Sequence, residues 1–309
     1  MDLYSIGEMV IDFIPGSEEA SYIRKAGGAP ANVAFAAQRN GLEAGMCCSV
    51  GDDDFGRFLM RTLEENHVRA LRPQLCTEAV TTMAFVTLSP DGDRSFTFAR
   101  KPGADMFLSE EDVKERDIQE SVIIHAGSCS LSAATADAAT IRALRLGRDL
   151  GKLVSFDVNY RDLMWNGDQT ACTRRVKEIL PYVDVLKISE EETPMLGGES
   201  ALFGCMKENG ITLIVETLGA DGARCFFQDE TLAVAGRKAK CVDATGAGDA
   251  FWGGFLSSLR IQGVSSASEL TKDNIRRALE YGNVAGWICV QSKGAIASLP
   301  TRTQIEQYL

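Results

Sequence analysis

The chain of 309 residues is 45% hydrophobic and 24% charged, long for one domain but sufficient for a large α/β unit with an appendage. Its net charge of −11 repels a phosphate backbone, and no Lys/Arg cluster is long enough for a basic stripe, so no nucleic-acid partner is expected. Nine cysteines without C-x-x-C spacing, beside only two histidines, argue against structural zinc.

Asp2 runs directly into an alternating segment, with no basic region, apolar signal core or stretch of membrane-spanning length. The expectation is a reduced, cytoplasmic protein with no membrane partner. Leu3 to Asp12 reads as one buried strand. Gly27-Gly28-Ala29-Pro30 introduces an Ala-rich helix through Gln38 that stops at Asn40-Gly41. Ala44 to Val50 is the next strand, and 54–66 places Phe55, Phe58, Leu59 and Leu63 on a helical stripe. Thr82 to Leu88 and Arg94 to Arg100 alternate around Ser89-Pro90-Asp91-Gly92-Asp93, hairpin chemistry that interrupts the β-α repeat. Strands at 121–126, 152–157, 183–188 and 211–217, with helices at 132–150 and 169–180 among them, predict a mainly parallel central sheet flanked by helices. A second hairpin over 223–235 precedes helices over 246–262 and 271–290. The fold class expected is therefore α/β, as a single domain over 1–309. The excursion after Asp12 and the 75–105 segment fit a parallel sheet poorly, so about 13–26 and 75–105 are expected to form a small β lid over the sheet's ligand edge.

Chemistry concentrates in Asp243-Ala-Thr-Gly-Ala-Gly-Asp249, which opens a helix whose Phe251, Trp252, Phe255, Leu256 and Leu259 recur at helical spacing. A helix start offers unpaired N–H groups and a positive dipole end, and Gly246 and Gly248 let a polyphosphate approach without Cβ obstruction. Asp249 in the first turn then suits a general base that accepts the proton of an attacking hydroxyl, with Gly246, Ala247 and Gly248 forming the anion hole. Taken alone, the same residues also fit a tight loop with a carboxylate complementing the helix dipole. No G-x-x-x-x-G-K-[ST] occurs, and Phe251 stands where a dinucleotide fingerprint wants glycine.

Two separated motifs, Gly27-Gly28-Ala-Pro-Ala-Asn32 with Gly51 and Gly56 downstream, and Asp243 to Asp249, resemble the signatures of the ribokinase-like (PfkB-type) carbohydrate kinases. Asp157-Val-Asn-Tyr-Arg161, Thr217-Leu-Gly-Ala-Asp-Gly222 and Gly294-Ala-Ile-Ala-Ser298 extend the resemblance in the family's order along almost the whole chain. It implies a sugar held by Asp12, Gly28, Asn32, Arg100, Asn159, Arg161 and Asp249. It implies ATP at Lys187, Ser189, Glu192, Thr217, Gly219, Gly222, Gly246, Gly248 and Asn283, with Glu192 holding Mg²⁺ through water. Ser189 departs from the asparagine common at that position, and Ser189-x-x-Glu192 also reads as a capping box. Asp12 alone equally suits a turn cap, Asn32 a solvated helix residue and Arg161 a surface ion pair.

The same resemblance brings a K⁺ site at Asp243, Thr245 and Ser298 with backbone oxygens around Cys289, Ser292 and Gly294, and a homodimer through the lid. Phe96-Thr-Phe98-Ala-Arg100 and Asp157 to Trp165 are most similar to bacterial fructokinases, implying D-fructose phosphorylated on its 6-hydroxyl. Phe96 and Phe98 are then expected over the sugar's apolar face, with packing inside the lid as the alternative and a solvated Arg100 as the counterpart reading. Kinases of 2-keto-3-deoxygluconate, ribose or nucleosides remain alternatives within the family, and a catalytically silent sugar- or nucleotide-binding protein outside it.

Overall fold

The computed structural model describes residues 1–18, 21–88 and 94–309. The first strand, β1 (Leu3–Ile6), is followed by β2 (Val10–Pro15), β3 (Tyr22–Gly27), α1 (Ala29–Arg39), β4 (Ala44–Cys47), α2 (Asp54–Glu65) and the two-residue β5 (Arg69–Ala70). Then come β6 (Met83–Leu88), β7 (Arg94–Ala99), α3 (Glu115–Gln119), β8 (Ile123–Gly127), α4 (Ala134–Asp149), β9 (Leu153–Asp157), α5 (Gln169–Ile179) and β10 (Val185–Ser189). The chain closes with α6 (Leu202–Asn209), β11 (Leu213–Thr217), β12 (Gly222–Phe227), β13 (Glu230–Ala235), α7 (Ala247–Ile261), α8 (Lys272–Cys289), α9 (Ala295–Ser298) and α10 (Arg302–Glu306).

Nine strands form the main sheet in the order β13-β12-β11-β10-β9-β8-β1-β4-β5. Pairing is parallel from β5 through β11 and antiparallel only at β11–β12 and β12–β13. Strands covered by helices on both faces need apolar residues on both sides, which is why their sequences read as nearly continuous hydrophobic runs. Leu3, Ile123, Leu153, Val185 and Leu213 pack under α1, α7 and α8 on one face. Tyr4, Ile124, Val154, Leu186 and Ile214 pack with α4 and α5 on the other. Beneath the site, the Trp252 indole N–H (2.9 Å) and His125 Nδ1 (3.1 Å) both meet the buried Ser155 hydroxyl.

The expected strand Leu3 to Asp12 is two strands in two sheets. Gly7 takes φ +147, a Cβ there would lie 2.7 Å from the Pro30 ring, and the chain leaves the main sheet through Glu8 and Met9. Local hydrophobicity is uninterrupted across the break, so the sequence pattern does not register it. The strand at 44–50 likewise ends at Cys47.

The second sheet has the order β3-β2-β6-β7, with β2 antiparallel to β3, parallel to β6, and β6 antiparallel to β7. The turn at 89–93 lies outside the described residues, as does the Phe96 side chain. One face of this sheet carries Phe13 and Phe85, stacked at 4.9 Å, and meets α2 through Phe55 at 5.5 Å. Arg24 on that face lies 3.9 Å above the Phe58 ring. The other face presents a cross-strand row, Lys25–Asp12–Ala84–Phe98, because residues directly opposite one another point to the same side.

Candidate active site

β8, β9, β10 and β11 end at Gly127, Asp157, Ser189 and Thr217, and the loops beyond their carboxyl ends carry most of the expected site residues. Asp12 does not arrive that way: it lies inside β2, so the second sheet rather than the main one presents it. A Cβ on Gly27 would lie 2.1 Å from Asp12 Oδ2, so glycine there leaves the carboxylate its space. Gly28 has φ +110, and a Cβ would lie 2.4 Å from the Glu8 carbonyl oxygen, which makes glycine obligatory at the entrance to α1.

Asn32, in the first turn of α1, donates from Nδ2 to Asp249 Oδ2 at 2.7 Å across 217 residues of sequence. Both side chains are buried, and the Asn32 Oδ1 has no partner. Gly246 caps α7 in the left-handed region at φ 77 and has no side chain to occupy the helix's first N–H groups. A Cβ at Gly246 would lie 2.9 Å from the Ala295 Cβ, so the anion loop is seated on α9. Burial pushes the Asp249 carboxyl above the usual carboxylate range, with the Asn32 hydrogen bond and Arg161 opposing. Asp12 is pushed up to about 7, by burial first and by the Asp249 charge second, with Arg161 opposing.

Asn159 is buried in a left-handed backbone conformation (φ 38), and its Nδ2 has no hydrogen-bond partner. Arg161 stands exposed at the rim and donates to the Tyr160 carbonyl at 3.2 Å. Arg100 is not solvated: its side chain is buried and ion-paired with Asp105, while its Nη2 makes no hydrogen bond. Its Nε bonds Asp105 at 2.8 Å, its Nη1 bonds Ser132 Oγ at 3.1 Å and the Met164 carbonyl at 3.3 Å, and its side chain is 8% exposed. Phe98, half-buried, packs against the core on the α4 side of the main sheet.

On the other side of the anion loop, a cleft of ≈ 320 Å³ brings together Thr217, Gly219, Gly222, Gly248 and Asn283 with Arg237 and Trp287. Asn283 turns its amide to the Val234 and Ala235 carbonyls, at 3.1 and 3.3 Å. Lys187, Ser189 and Glu192 lie outside this lining. Lys187 is buried and bonds both Asp157 oxygens at 2.9 Å, a pairing made by the β9–β10 register, and a Cβ on Gly248 would lie 3.6 Å from its Nζ. The Glu192 carboxylate accepts from the Tyr160 N–H at 2.6 Å and the Ser189 N–H at 2.9 Å, so half of the expected capping box is made. Its remaining lone pairs fit a hard cation held through water.

Asp243 is buried, with Oδ1 accepting from the Thr245 N–H at 2.9 Å and Oδ2 from the Gly294 N–H at 3.0 Å. Cys289 Sγ approaches the Thr245 carbonyl at 3.9 Å and the Ser298 hydroxyl at 3.2 Å, and Ser292 follows in the same turn. This oxygen-rich donor set fits a hard monovalent cation. Among the described residues, no three His, Cys, Asp or Glu side chains are arranged to hold a metal by themselves. A larger, shallower depression of ≈ 660 Å³ sits around Asp184, Lys207 and Thr212, at the amino ends of β10 and β11, away from this chemistry.

Sequence reasoning passed over Asp157 as a partner of Lys187, and also Glu8. Glu8 is buried, accepts the Ala29 N–H at 3.1 Å, has an unpartnered Oε2 and is pushed up to about 7 by burial. The signal for Asp157 was its place two residues before Asn159 at a strand end; Glu8 gave none, lying within an apolar run.

The family profile described as pfkB family carbohydrate kinase matches residues 2–302. The chain belongs to this family. The pfkB kinase is 36% identical over 311 residues to Fructokinase-1 of Oryza sativa subsp. japonica, covering 97% of this chain and 95% of that one. Its structure is similar to that of the Xylella fastidiosa fructokinase with bound ATP, with a TM-score of 0.92, 29% identity and coverage of 99% and 97%. It is also similar to the Vibrio cholerae O395 fructokinase in a form with fructose, ADP and calcium ion bound, with a TM-score of 0.89, 31% identity and coverage of 100% and 98%. As a sugar kinase, it has the expected α/β fold with its smaller second sheet.

Proposed function

We propose that this pfkB kinase is a fructokinase, transferring the terminal phosphoryl group of ATP to the 6-hydroxyl of D-fructose to give fructose 6-phosphate and ADP. The observation that carries the reading is the Asn32–Asp249 hydrogen bond at the glycine-capped start of α7, which pins a buried carboxylate beside an anion-binding helix terminus. The names and bound ligands of the similar fructokinases support the choice of sugar and of ATP.

In this reading the sugar lies between the second sheet and the anion loop, against Asp12, Gly28, Asn32 and Asn159. The unpartnered Asn32 Oδ1 and Asn159 Nδ2, one acceptor and one donor, suit ring hydroxyls. Asp249 takes the proton of the 6-hydroxyl as its oxygen forms the new bond to phosphorus, and the bond to the leaving ADP oxygen breaks. The α7 terminus and Arg161 oppose the charge on the phosphoryl oxygens, while the cleft of Thr217, Gly219, Gly222 and Asn283 receives the nucleoside. Glu192 would hold Mg²⁺ through water and the Asp243 set K⁺; a divalent ion supplies charge neutralisation on the phosphates.

The second sheet acts as the lid of one 1–309 domain, and a homodimer through it is part of the reading, since Tyr22 and Ile23 of β3 are each 48% exposed. No described helix is long and apolar enough to cross a membrane. The nine cysteines are all free thiols, which supports a cytoplasmic setting.

The test is a coupled ADP-release assay with Mg²⁺ and ATP over fructose, ribose, 2-keto-3-deoxygluconate and nucleosides, beside a ligand-only thermal-shift screen. Fructose should give the highest kcat/KM. Stabilisation by fructose without turnover would instead mark a binding protein, and preference for another acceptor would overturn the substrate.

A further inference from the structure

We propose that Lys25 is a second-sheet cation that contacts the transferring phosphoryl group. The inference rests on the reading of the site as a phosphoryl-transfer centre and adds a residue to it. Three observations converge on this lysine.

The first is its face. Lys25 in β3 lies directly opposite Asp12 in β2, so both side chains leave the second sheet on the side away from α2 and toward the anion loop. The second is its reach. The Lys25 stem passes over the loop that follows α8, and a Cβ on Gly294 would lie 3.7 Å from its Cε. Gly294 donates to Asp243, the first residue of the anion loop, at 3.0 Å, and the next residue, Ala295, is the one that seats Gly246. The Lys25 stem thus reaches, from the second sheet, the residue that bonds the first carboxylate of the anion loop. The third is its lack of company. Lys25 is half-buried, yet no oxygen among the described residues bonds its ammonium.

Charge explains why the site needs it. Asp12, Asp157, Asp243, Asp249 and Glu192 put five carboxylates around the centre, and Lys187 already spends its ammonium on both oxygens of Asp157. A triphosphate entering this field requires cations not already committed to the protein. A lysine, a compact charge on a flexible stem, can follow the phosphoryl group from donor to acceptor oxygen without a fixed bidentate geometry. Lys25 makes no bond to the sugar in this arrangement, so its effect falls on kcat and on the triphosphate.

The experiment compares wild type, Lys25→Met and Lys25→Arg. Methionine keeps the apolar stem over Gly294 and removes the charge. With fructose and MgATP, Lys25→Met should lower kcat about 10- to 100-fold while the fructose KM stays within about 3-fold, and Lys25→Arg should recover most of the loss. A Lys25→Met kcat within about 2-fold of wild type overturns the proposal. So does an arginine variant as impaired as the methionine one, which would indicate stem packing, or a loss confined to the fructose KM. If Lys25→Met melts well below wild type, Lys25→Gln replaces it under the same criteria. A wild type with no turnover on any sugar strikes the functional reading alone. Titration of a non-hydrolysable MgATP analogue then decides for Lys25: weakening of about 5-fold or more in Lys25→Met supports the contact, and unchanged affinity rejects it.

Discussion

Asp249 illustrates how one residue can be fully specified by chemistry and still need the fold to be read. The glycines ahead of it and the helical spacing after it place a carboxylate in a first turn. Nothing local says that its partner is Asn32, 217 residues earlier. Replacing Asp249 with Asn keeps the acceptor for Asn32 and removes the proton acceptor. Asp249→Asn should therefore lower kcat by about 10²-fold or more with ATP affinity largely kept. Because burial already raises this carboxyl, the variant should melt no lower than wild type. Steady-state kinetics beside thermal melts check both halves, and a variant with near-normal kcat removes Asp249 from the role of base. Arg100 is the opposite case. The sequence showed a cation ending a strand, and only the structure shows Asp105, Ser132 and the Met164 carbonyl holding it, since all three depend on loops folding back.

At the scale of elements, the helices and the parallel strands were legible because amphipathic stripes and doubly buried runs leave periodic traces. The second sheet was legible only in part. Alternation revealed β6 and β7, but β2 hides inside an apolar run continuous with β1, and its parallel pairing with β6 joins segments some 70 residues apart in sequence. The chain passes between the four strands and the rest of the molecule at four places: Gly7 to Met9, the 71–82 segment before β6, and the loops after β3 and β7. Such an element can tilt as a unit. Hydrogen exchange of the backbone amides at 83–88 and 97–99 should slow on saturating with fructose, since closure over the site shields this sheet. An Asp12→Ala protein, which should bind the sugar poorly, serves as the control. Unchanged exchange at saturating sugar would mean that the sheet is already seated.

The whole molecule carries an electrostatic load that its response to pH should expose. Glu8 is raised from 4.5 to about 7 by burial, with the Ala29 N–H and Arg100 opposing and Asp105 adding. A carboxyl raised on folding binds its proton more tightly in the native state. Its stabilising share is therefore complete below about pH 4.5 and is lost as pH rises to 7. Glu8→Gln can still accept from Ala29 and cannot ionise. The variant should gain on wild type between pH 5 and 8, by up to about 3 kcal/mol in urea unfolding of the unliganded protein. Parallel stability curves would show that Glu8 is not titrating. The strand order has a different consequence, for synthesis rather than for chemistry. β1 finds β4 within 45 residues, but its other edge waits for β8, roughly 120 residues later, about 10 s at common elongation rates of ~5–20 residues per second. From β8 onward, each new strand adds beside the previous one through β13, so the sheet can grow in the direction of translation. The nascent chain thus has one long vulnerable interval, early, when the open edge of β1 is its most exposed template for wrong pairing.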